Sequence, residues 1–138
     1  MDFTSLSFSD TPQIKTTPPG PESVKYLDYQ SAKESSAVSY PRGMPMALHR
    51  AKGATVEDVD GNRYIDFFGG AGVINVGHAN PAVLEAARDQ LENLTHTLDI
   101  PSPSRRRMVE ALEQVLPREL CKIFFGAPTG SDAVEAAV

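Results

Sequence analysis

The feature that most constrains this chain is a short turn, Asp60-Gly61-Asn62, set between two stretches in which apolar residues recur at nearly alternate positions. Val56 and Val59 precede the turn, and Tyr64 and Phe67 follow it. Asp-Gly and Gly-Asn pairs readily adopt the positive φ angles that tight turns between strands require. We therefore predict a β-hairpin over residues 51–68.

Helix starts are marked at two later points of the chain. Asn80 can accept hydrogen bonds from free amides, and Pro81 occupies a position where its missing N–H costs nothing. Ser102 and Pro103 repeat this signal, and Pro117 should end the second helix. The apolar faces expected to turn inward are Val83, Ala87, Leu91 and Leu94 in the first helix, and Met108, Leu112, Val115 and Leu116 in the second. A weaker helical pattern spans residues 24–36, and Tyr40-Pro41-Arg42-Gly43 is expected to end it as a turn.

The run Lys122–Gly126 is short, apolar and bounded by glycine, which predicts a buried strand of a parallel sheet. Cys121 is expected to be buried or half-buried beside it. A loop of small residues follows, and a helix-favouring run begins at Asp132. That run reaches Val138 without a C-cap signal, so we expect the chain to be truncated there.

A strand that leads through such a loop into a helix can bind phosphate, because free amides and the helix dipole face the ligand. Thr129, Gly130 and Ser131 are therefore candidates for a phosphate site. The alternative is an ordinary capped helix, and the carboxylate of Asp132 beside an anion favours that alternative. The loop lacks the lysine of a P-loop and the glycine spacing of a dinucleotide fold, so a monophosphate ligand is left.

Three other features leave two interpretations open. The run Gly69–Gly72 permits a backbone path that side chains would obstruct, either as a bend between domains or as a loop facing a ligand. His78 could move protons, but a structural hydrogen bond is favoured. The carboxylates of Asp58, Asp60 and Asp66 lack the spacing of a calcium loop, so we expect turn and hairpin roles and no metal.

Composition narrows the class of protein further. The chain has 138 residues, 41% of them hydrophobic, and a net charge of −5. Acidic and basic residues are interleaved, so no basic surface is predicted that would bind nucleic acid or an anionic membrane. No window approaches the roughly 20 apolar residues of a membrane helix. The single cysteine and the lack of a secretory signal favour the cytoplasm. Residues 1–22, rich in Ser, Thr and Pro, are expected to be flexible or extended.

From about Tyr26 onward the chain resembles the class III aminotransferases, which depend on pyridoxal 5'-phosphate (PLP). The motifs that carry the resemblance are Gly53-Ala54-Thr55-Val56, Asp58-Val59-Asp60-Gly61-Asn62-Arg63-Tyr64-Ile65-Asp66, Gly77-His78-Ala79-Asn80-Pro81 and Thr129-Gly130-Ser131-Asp132-Ala133-Val134-Glu135-Ala136. Within the class it is most similar to the diaminobutyrate:2-oxoglutarate transaminases, through Ser39-Tyr40-Pro41-Arg42, His96-Thr97-Leu98-Asp99-Ile100-Pro101 and the segment 126–135.

The resemblance implies an α/β fold, the N-terminal fragment of a fold type I PLP-dependent transferase. Residues 1–22 would be a leader, 23–95 part of the small domain, and 96–138 the truncated start of the PLP-binding large domain. Gly130 and Ser131 would hold the cofactor phosphate with Thr129 beside them. Gly70, Ala71, Gly72 and Val73 would line the substrate entrance.

The complete protein would be a homodimer that passes an amino group from a diamino acid to 2-oxoglutarate. The resemblance places the catalytic lysine beyond these residues, since none of the five lysines present matches it: Lys15, Lys25, Lys33, Lys52 and Lys122. The fragment is therefore expected to be inactive alone. It is also not expected to fold unaided, because its half-sheet would be exposed in the absence of the later strands. Two alternatives stay open: another ω-amino donor such as 4-aminobutyrate, ornithine or acetylornithine, or a non-catalytic binding or dimerising module.

Overall fold

The structure, a computed structural model, describes residues 6–138, and the chain divides into two compact units between Ala87 and Arg88. The elements of the first unit are α1 (Pro21–Lys33), α2 (Tyr40–Gly43), β1 (Leu48–Lys52), β2 (Thr55–Asp58), β3 (Arg63–Ile65) and a single turn, α3 (Gly69–Gly72). Helix α4 (Pro81–Asn93) begins in the first unit, and the second contains α5 (Pro103–Glu113) and α6 (Gly130–Ala137). The tetrapeptide Tyr40–Gly43, expected as a turn, thus forms one turn of helix.

The predicted hairpin is confirmed as strands β2 and β3 of a three-stranded antiparallel sheet in the order β1-β2-β3. Gly61 has a φ of 81°, and its N–H donates to the Asp58 carbonyl at 3.1 Å, which closes the turn. Strand β1 was not predicted. Its sequence, Leu48-His49-Arg50-Ala51-Lys52, lacks alternation and forms a strand because it pairs with β2.

The interior of the first unit is mainly polar. Val56 is the one buried apolar residue among residues 6–138, and the buried polar residues are Ser23, Thr55, Glu57, Asp58 and Asn62. The Asp58 carboxylate accepts from the Asn62 N–H and side-chain amide, each at 2.8 Å, from the Asp60 N–H at 3.0 Å and from the Tyr64 hydroxyl at 2.8 Å. Burial, followed by the hydrogen bond to Asp58, raises the pKa of Tyr64 to about 12. The hairpin is stabilised by a saturated polar network.

Residues 6–20 lie against the hairpin. The N–H groups of Lys15 and Thr16 donate to Asn62 Oδ1 at 2.7 and 2.8 Å, and Gln13 pairs with Arg63 in an isolated bridge. This stretch was expected to be flexible or extended. The part that the structure describes consists mainly of turns and bends and is held to the hairpin by these hydrogen bonds. The part of the predicted leader before Leu6 lies outside the described residues.

Glu57 on β2 joins the neighbouring strands. Its carboxylate accepts from Arg50 Nε at 2.7 Å and from Arg63 Nε at 2.6 Å. The hydrogen bonds from Arg50 and Arg63 lower the pKa of Glu57 to about 2. Both guanidinium groups also lie over the ring of Phe8, 4.8 and 5.5 Å from its centroid. One carboxylate therefore links all three strands.

The two predicted helix starts are confirmed. Asn80 Oδ1 accepts from the Ala82 N–H at 3.1 Å, and the Ser102 hydroxyl accepts from the Arg105 N–H at 3.2 Å. The inward burial expected of their apolar faces is wrong for the described chain, since Leu91 is 61% exposed and Val115 76%. No residue from 88 to 138 is buried, so the second unit has no core of its own among the described residues. Within residues 6–138, every helix is too short or too polar to traverse a bilayer.

The buried strand predicted at Lys122–Gly126 is wrong. The backbone there has no strand pairing, and Phe124 is 69% exposed. A strand persists only where a neighbour supplies hydrogen-bond partners, and no described strand adjoins this run. For the same reason Cys121, expected to be buried, is exposed.

Candidate cofactor and substrate site

The start of α6 presents unused hydrogen-bond donors. Thr129 is the N-cap in extended conformation, and its hydroxyl accepts from the Asp132 N–H at 3.3 Å. The N–H groups of Gly130 and Ser131 have no partner among the described residues, nor does the Ser131 hydroxyl. A Cβ on Gly130 would find no atom within 4 Å, so the surface beside it is open. The partial positive charge of a helix N-terminus coincides here with free donors.

Asp132 lies one turn into this helix, and its side chain is turned back toward the cap. The Thr129 hydroxyl donates to Asp132 Oδ2 at 2.7 Å while accepting the Asp132 N–H. The structure gives the role of N-cap to Thr129. Because the Thr129 hydroxyl donates its hydrogen bond to Asp132, the donors that remain for an anion belong to Gly130 and Ser131.

These three adjacent residues fit a single phosphate. At neutral pH the oxygens of a phosphate act as hydrogen-bond acceptors. Gly130 and Ser131 offer two peptide N–H donors, and the Ser131 hydroxyl can rotate to donate as well. The three predicted phosphate candidates are thus contiguous and exposed, but their roles differ. Thr129 caps the helix, whereas Gly130 and Ser131 face outward.

The glycine run of the first unit forms an unusual left-handed turn. Four successive φ angles are positive, 55° at Gly69, 61° at Gly70, 61° at Ala71 and 83° at Gly72. The left-handed conformation costs a residue with a Cβ roughly 1 kcal/mol, which Ala71 bears. A Cβ on Gly70 would lie 2.9 Å from Cγ1 of Ile74. A Cβ on Gly69 or Gly72 would meet no atom within 4 Å, so the predicted obstruction by side chains is found at Gly70 alone, and at the other two glycines it is the positive φ angle that favours glycine.

One carboxylate fixes the beginning of that turn. Asp66 Oδ1 accepts the N–H groups of Phe68 at 2.9 Å and Gly69 at 2.8 Å, and Asp66 Oδ2 lies 3.0 Å from His78 Nε2. Burial raises the pKa of Asp66, but the hydrogen bonds from Gly69, His78 and Phe68 outweigh it and leave that pKa below its ordinary value. His78 also pairs through its backbone with Gly53 at 2.7 and 2.9 Å. These contacts support the structural interpretation of His78.

Sequence reasoning missed the link between Asp66 and the glycine turn. An aspartate three residues before a glycine-rich run is a recognised Asx-turn signal, which could have revealed the contacts to Phe68 and Gly69. The bond to His78 has no local signal, because the two residues are distant in sequence.

The acidic residues once considered for a metal are occupied by turn contacts. Asp58 closes the hairpin, and Asp60 accepts the N–H groups of Glu22 at 2.9 Å and Ser23 at 2.8 Å at the start of α1. Among the residues that the structure describes, no three His, Cys, Asp or Glu side chains are grouped so as to hold a metal ion. The carboxylates therefore organise the hairpin and the helix beside it.

The chain thus contains a hairpin followed by a left-handed glycine turn, and a helix start with free amides. Its residues 36–138 match the family model of aminotransferase class-III. The match covers more than half of the sequence, so the chain belongs to this family. It is 45% identical over 118 residues to a diaminobutyrate–2-oxoglutarate aminotransferase of Rhizobium meliloti, an alignment covering 82% of this chain and 25% of that protein. A relative of the same name from Haemophilus influenzae is 40% identical, with the same coverage. The chain thus spans about a quarter of the length of these curated relatives.

Solved structures agree on the fold. Ornithine delta-aminotransferase of Plasmodium falciparum superposes with a TM-score of 0.68 at 25% identity, covering 83% of this chain and 28% of that one. An (S)-enantioselective omega-transaminase of Thermomicrobium roseum superposes with a TM-score of 0.67 at 27% identity, covering 83% and 27%. The predicted fold class, an N-terminal portion of a fold type I PLP-dependent transferase, is confirmed.

Proposed function

We propose that the complete protein is a PLP-dependent aminotransferase that transfers an amino group from L-2,4-diaminobutyrate to 2-oxoglutarate, giving aspartate semialdehyde and glutamate. The substrates rest on similarity to relatives named for diaminobutyrate and 2-oxoglutarate, at 38–45% identity. The observation within the chain that carries the proposal is the pair of free N–H groups at Gly130 and Ser131.

In this proposal the start of α6 holds the cofactor phosphate. The Gly130 and Ser131 N–H groups and the Ser131 hydroxyl donate to its oxygens, and Thr129 keeps the first turn of the helix in place through Asp132. When bound, PLP withdraws electrons from the amino substrate. A lysine from another part of the complete protein would bind the cofactor covalently.

The remaining assignments follow from family membership. Gly70, Ala71, Gly72 and Val73 line the substrate entrance, residues 23–95 belong to the small domain, and residues 96–138 begin the large domain. The complete protein acts as a homodimer. Its place is the cytoplasm, which the single cysteine supports.

A second candidate keeps the reaction and changes the amino donor. The solved structures at 25% identity or more include an ornithine delta-aminotransferase and an omega-transaminase, which favour a longer ω-amino compound. The curated relatives are more similar, and they favour diaminobutyrate.

A donor competition assay on the full-length, PLP-loaded protein distinguishes these candidates. Glutamate formation from 2-oxoglutarate is measured with diaminobutyrate, ornithine, acetylornithine and 4-aminobutyrate at matched concentrations. We expect the highest kcat/KM for diaminobutyrate. A higher value for another donor would support the second candidate, and no glutamate with any donor would contradict the enzyme proposal.

A further inference from the structure

Asp66 and His78 are joined by a side-chain hydrogen bond across the two ends of the segment between them, and we call this pair the clasp. Asp66 Oδ2 and His78 Nε2 are 3.0 Å apart, and the two side chains are 11% and 25% exposed. A carboxylate can only accept a hydrogen bond, so His78 Nε2 carries the proton in this contact. The segment 67–77 therefore starts and ends at one hydrogen-bonded pair.

The clasp is anchored on the sheet. The Asp66 N–H donates to the Ala54 carbonyl at 2.8 Å, and the Gly53 N–H donates to the His78 carbonyl at 2.7 Å. Gly53 and Ala54 form the connection between β1 and β2. Both members of the clasp are thereby fixed to the same turn of the sheet.

The segment inside the clasp needs external support. Its left-handed turn is unfavourable at Ala71, whose φ is 61°, and the solvent-exposed Phe67 and Val73 give it little apolar burial. Asp66 Oδ1 holds the first amides of the turn, and the Ile74 N–H donates to the Gly69 carbonyl at 2.9 Å. Without the carboxylate, two amides at the beginning of the turn lose their acceptor.

We propose that the Asp66–His78 clasp is a positioning pair that holds the turn Gly69–Gly72 in the shape that binds the amino donor. This inference rests on the proposed function, in which residues 70–73 line the substrate entrance. Asp66 and His78 act through the turn and do not touch reacting atoms.

Substitutions in the full-length, PLP-loaded protein test the clasp. His78→Ala and Asp66→Ala break it, whereas His78→Gln keeps an N–H near the position of Nε2. His49→Ala, which removes an exposed histidine of β1, is the control. We expect His78→Ala and Asp66→Ala to raise the KM of the amino donor about tenfold with kcat changed less than about threefold. His78→Gln should restore KM to within about threefold of the unmodified protein.

Hydrogen exchange of the backbone amides 67–74 supplies a readout independent of catalysis. We expect exchange about tenfold faster in the two alanine variants and unchanged in His49→Ala. Unchanged exchange would overturn the clasp, as would faster exchange with an unaltered KM in an active enzyme. If the unmodified protein transaminates no donor, the proposed function fails, and the substrate role of the clasp fails with it.

Discussion

The Thr129 hydroxyl accepts the Asp132 N–H at 3.3 Å and donates to the Asp132 carboxylate at 2.7 Å. This reciprocal contact satisfies one free amide of α6 and holds the acidic side chain against the cap. The amides before it, at Gly130 and Ser131, stay available to a ligand.

Replacing Thr129 tests how far the cap organises the proposed cofactor site. Thr129→Val keeps the shape and removes both hydrogen bonds, which should destabilise the helix start by about 1 kcal/mol and weaken PLP binding about fivefold. Thr129→Ser retains the hydroxyl and should bind PLP within about twofold of the unmodified protein. PLP titration of the full-length apoprotein gives both dissociation constants. Equal weakening in Val and Ser variants would contradict the capping role.

Asp58 is expected to be the most sensitive position of the hairpin. Its carboxylate is 1% exposed and accepts four hydrogen bonds, so Asp58→Asn places an amide donor against donors from Asn62 and Tyr64. We expect a loss of about 2–4 kcal/mol in the free energy of unfolding of the full-length protein. Asp28→Asn on the exposed side of α1 is the control, with a change below about 0.5 kcal/mol. Similar effects of the two substitutions would argue against the network.

Acid should weaken the first unit through Glu57. Its pKa is about 2 in the folded chain against an ordinary 4.5, so its contribution is full above pH 4.5 and is lost as the pH falls toward 2. Glu57→Gln should lower the free energy of unfolding by about 1–3 kcal/mol at pH 7, and the difference from the unmodified protein should shrink below pH 4.5. Urea unfolding at pH 7, 5, 4 and 3 measures this.

The matched control for Glu57 is Glu22→Gln, which removes an exposed ion pair with Lys25. That pair should contribute less than about 1 kcal/mol. If Glu57→Gln lowers the free energy of unfolding by the same amount at pH 7 and at pH 3, the arginine contacts do not depend on the charge of Glu57.

Replacing alanine by glycine is expected to change the stability in opposite directions in the left-handed turn and in a regular helix. Ala71→Gly relieves an unfavourable φ of 61° and should stabilise the full-length protein by up to about 1 kcal/mol. Ala87→Gly, in the interior of α4, should destabilise it by about 1 kcal/mol. Chemical unfolding compares the two variants. Destabilisation by Ala71→Gly would mean that residue 71 is not left-handed in solution.

Local signals of the sequence predicted the elements that local chemistry determines. The turn at Gly61 and the helix starts at Asn80 and Ser102 each depend on residues within a few positions, so their residue types suffice. The cofactor candidates were proposed in the same way, because a capped helix start with glycine is a local pattern, and they stay a prediction.

Strands were predicted less well, because a strand depends on its neighbour. Residues 122–126 have the composition of a buried strand but no described partner, whereas Leu48–Lys52 has an unpromising sequence and pairs with β2. The Asp66–His78 bond likewise joins distant parts of the chain. Contacts of this kind became visible only in the structure.

The central claim is that the start of α6 binds the phosphate of PLP, and a crystal structure of the full-length protein with PLP tests it most directly. We expect phosphate oxygens about 2.7–3.2 Å from the backbone nitrogens of Gly130 and Ser131. A cofactor phosphate bound elsewhere, with these two N–H groups satisfied by the protein's own side chains, would contradict the account.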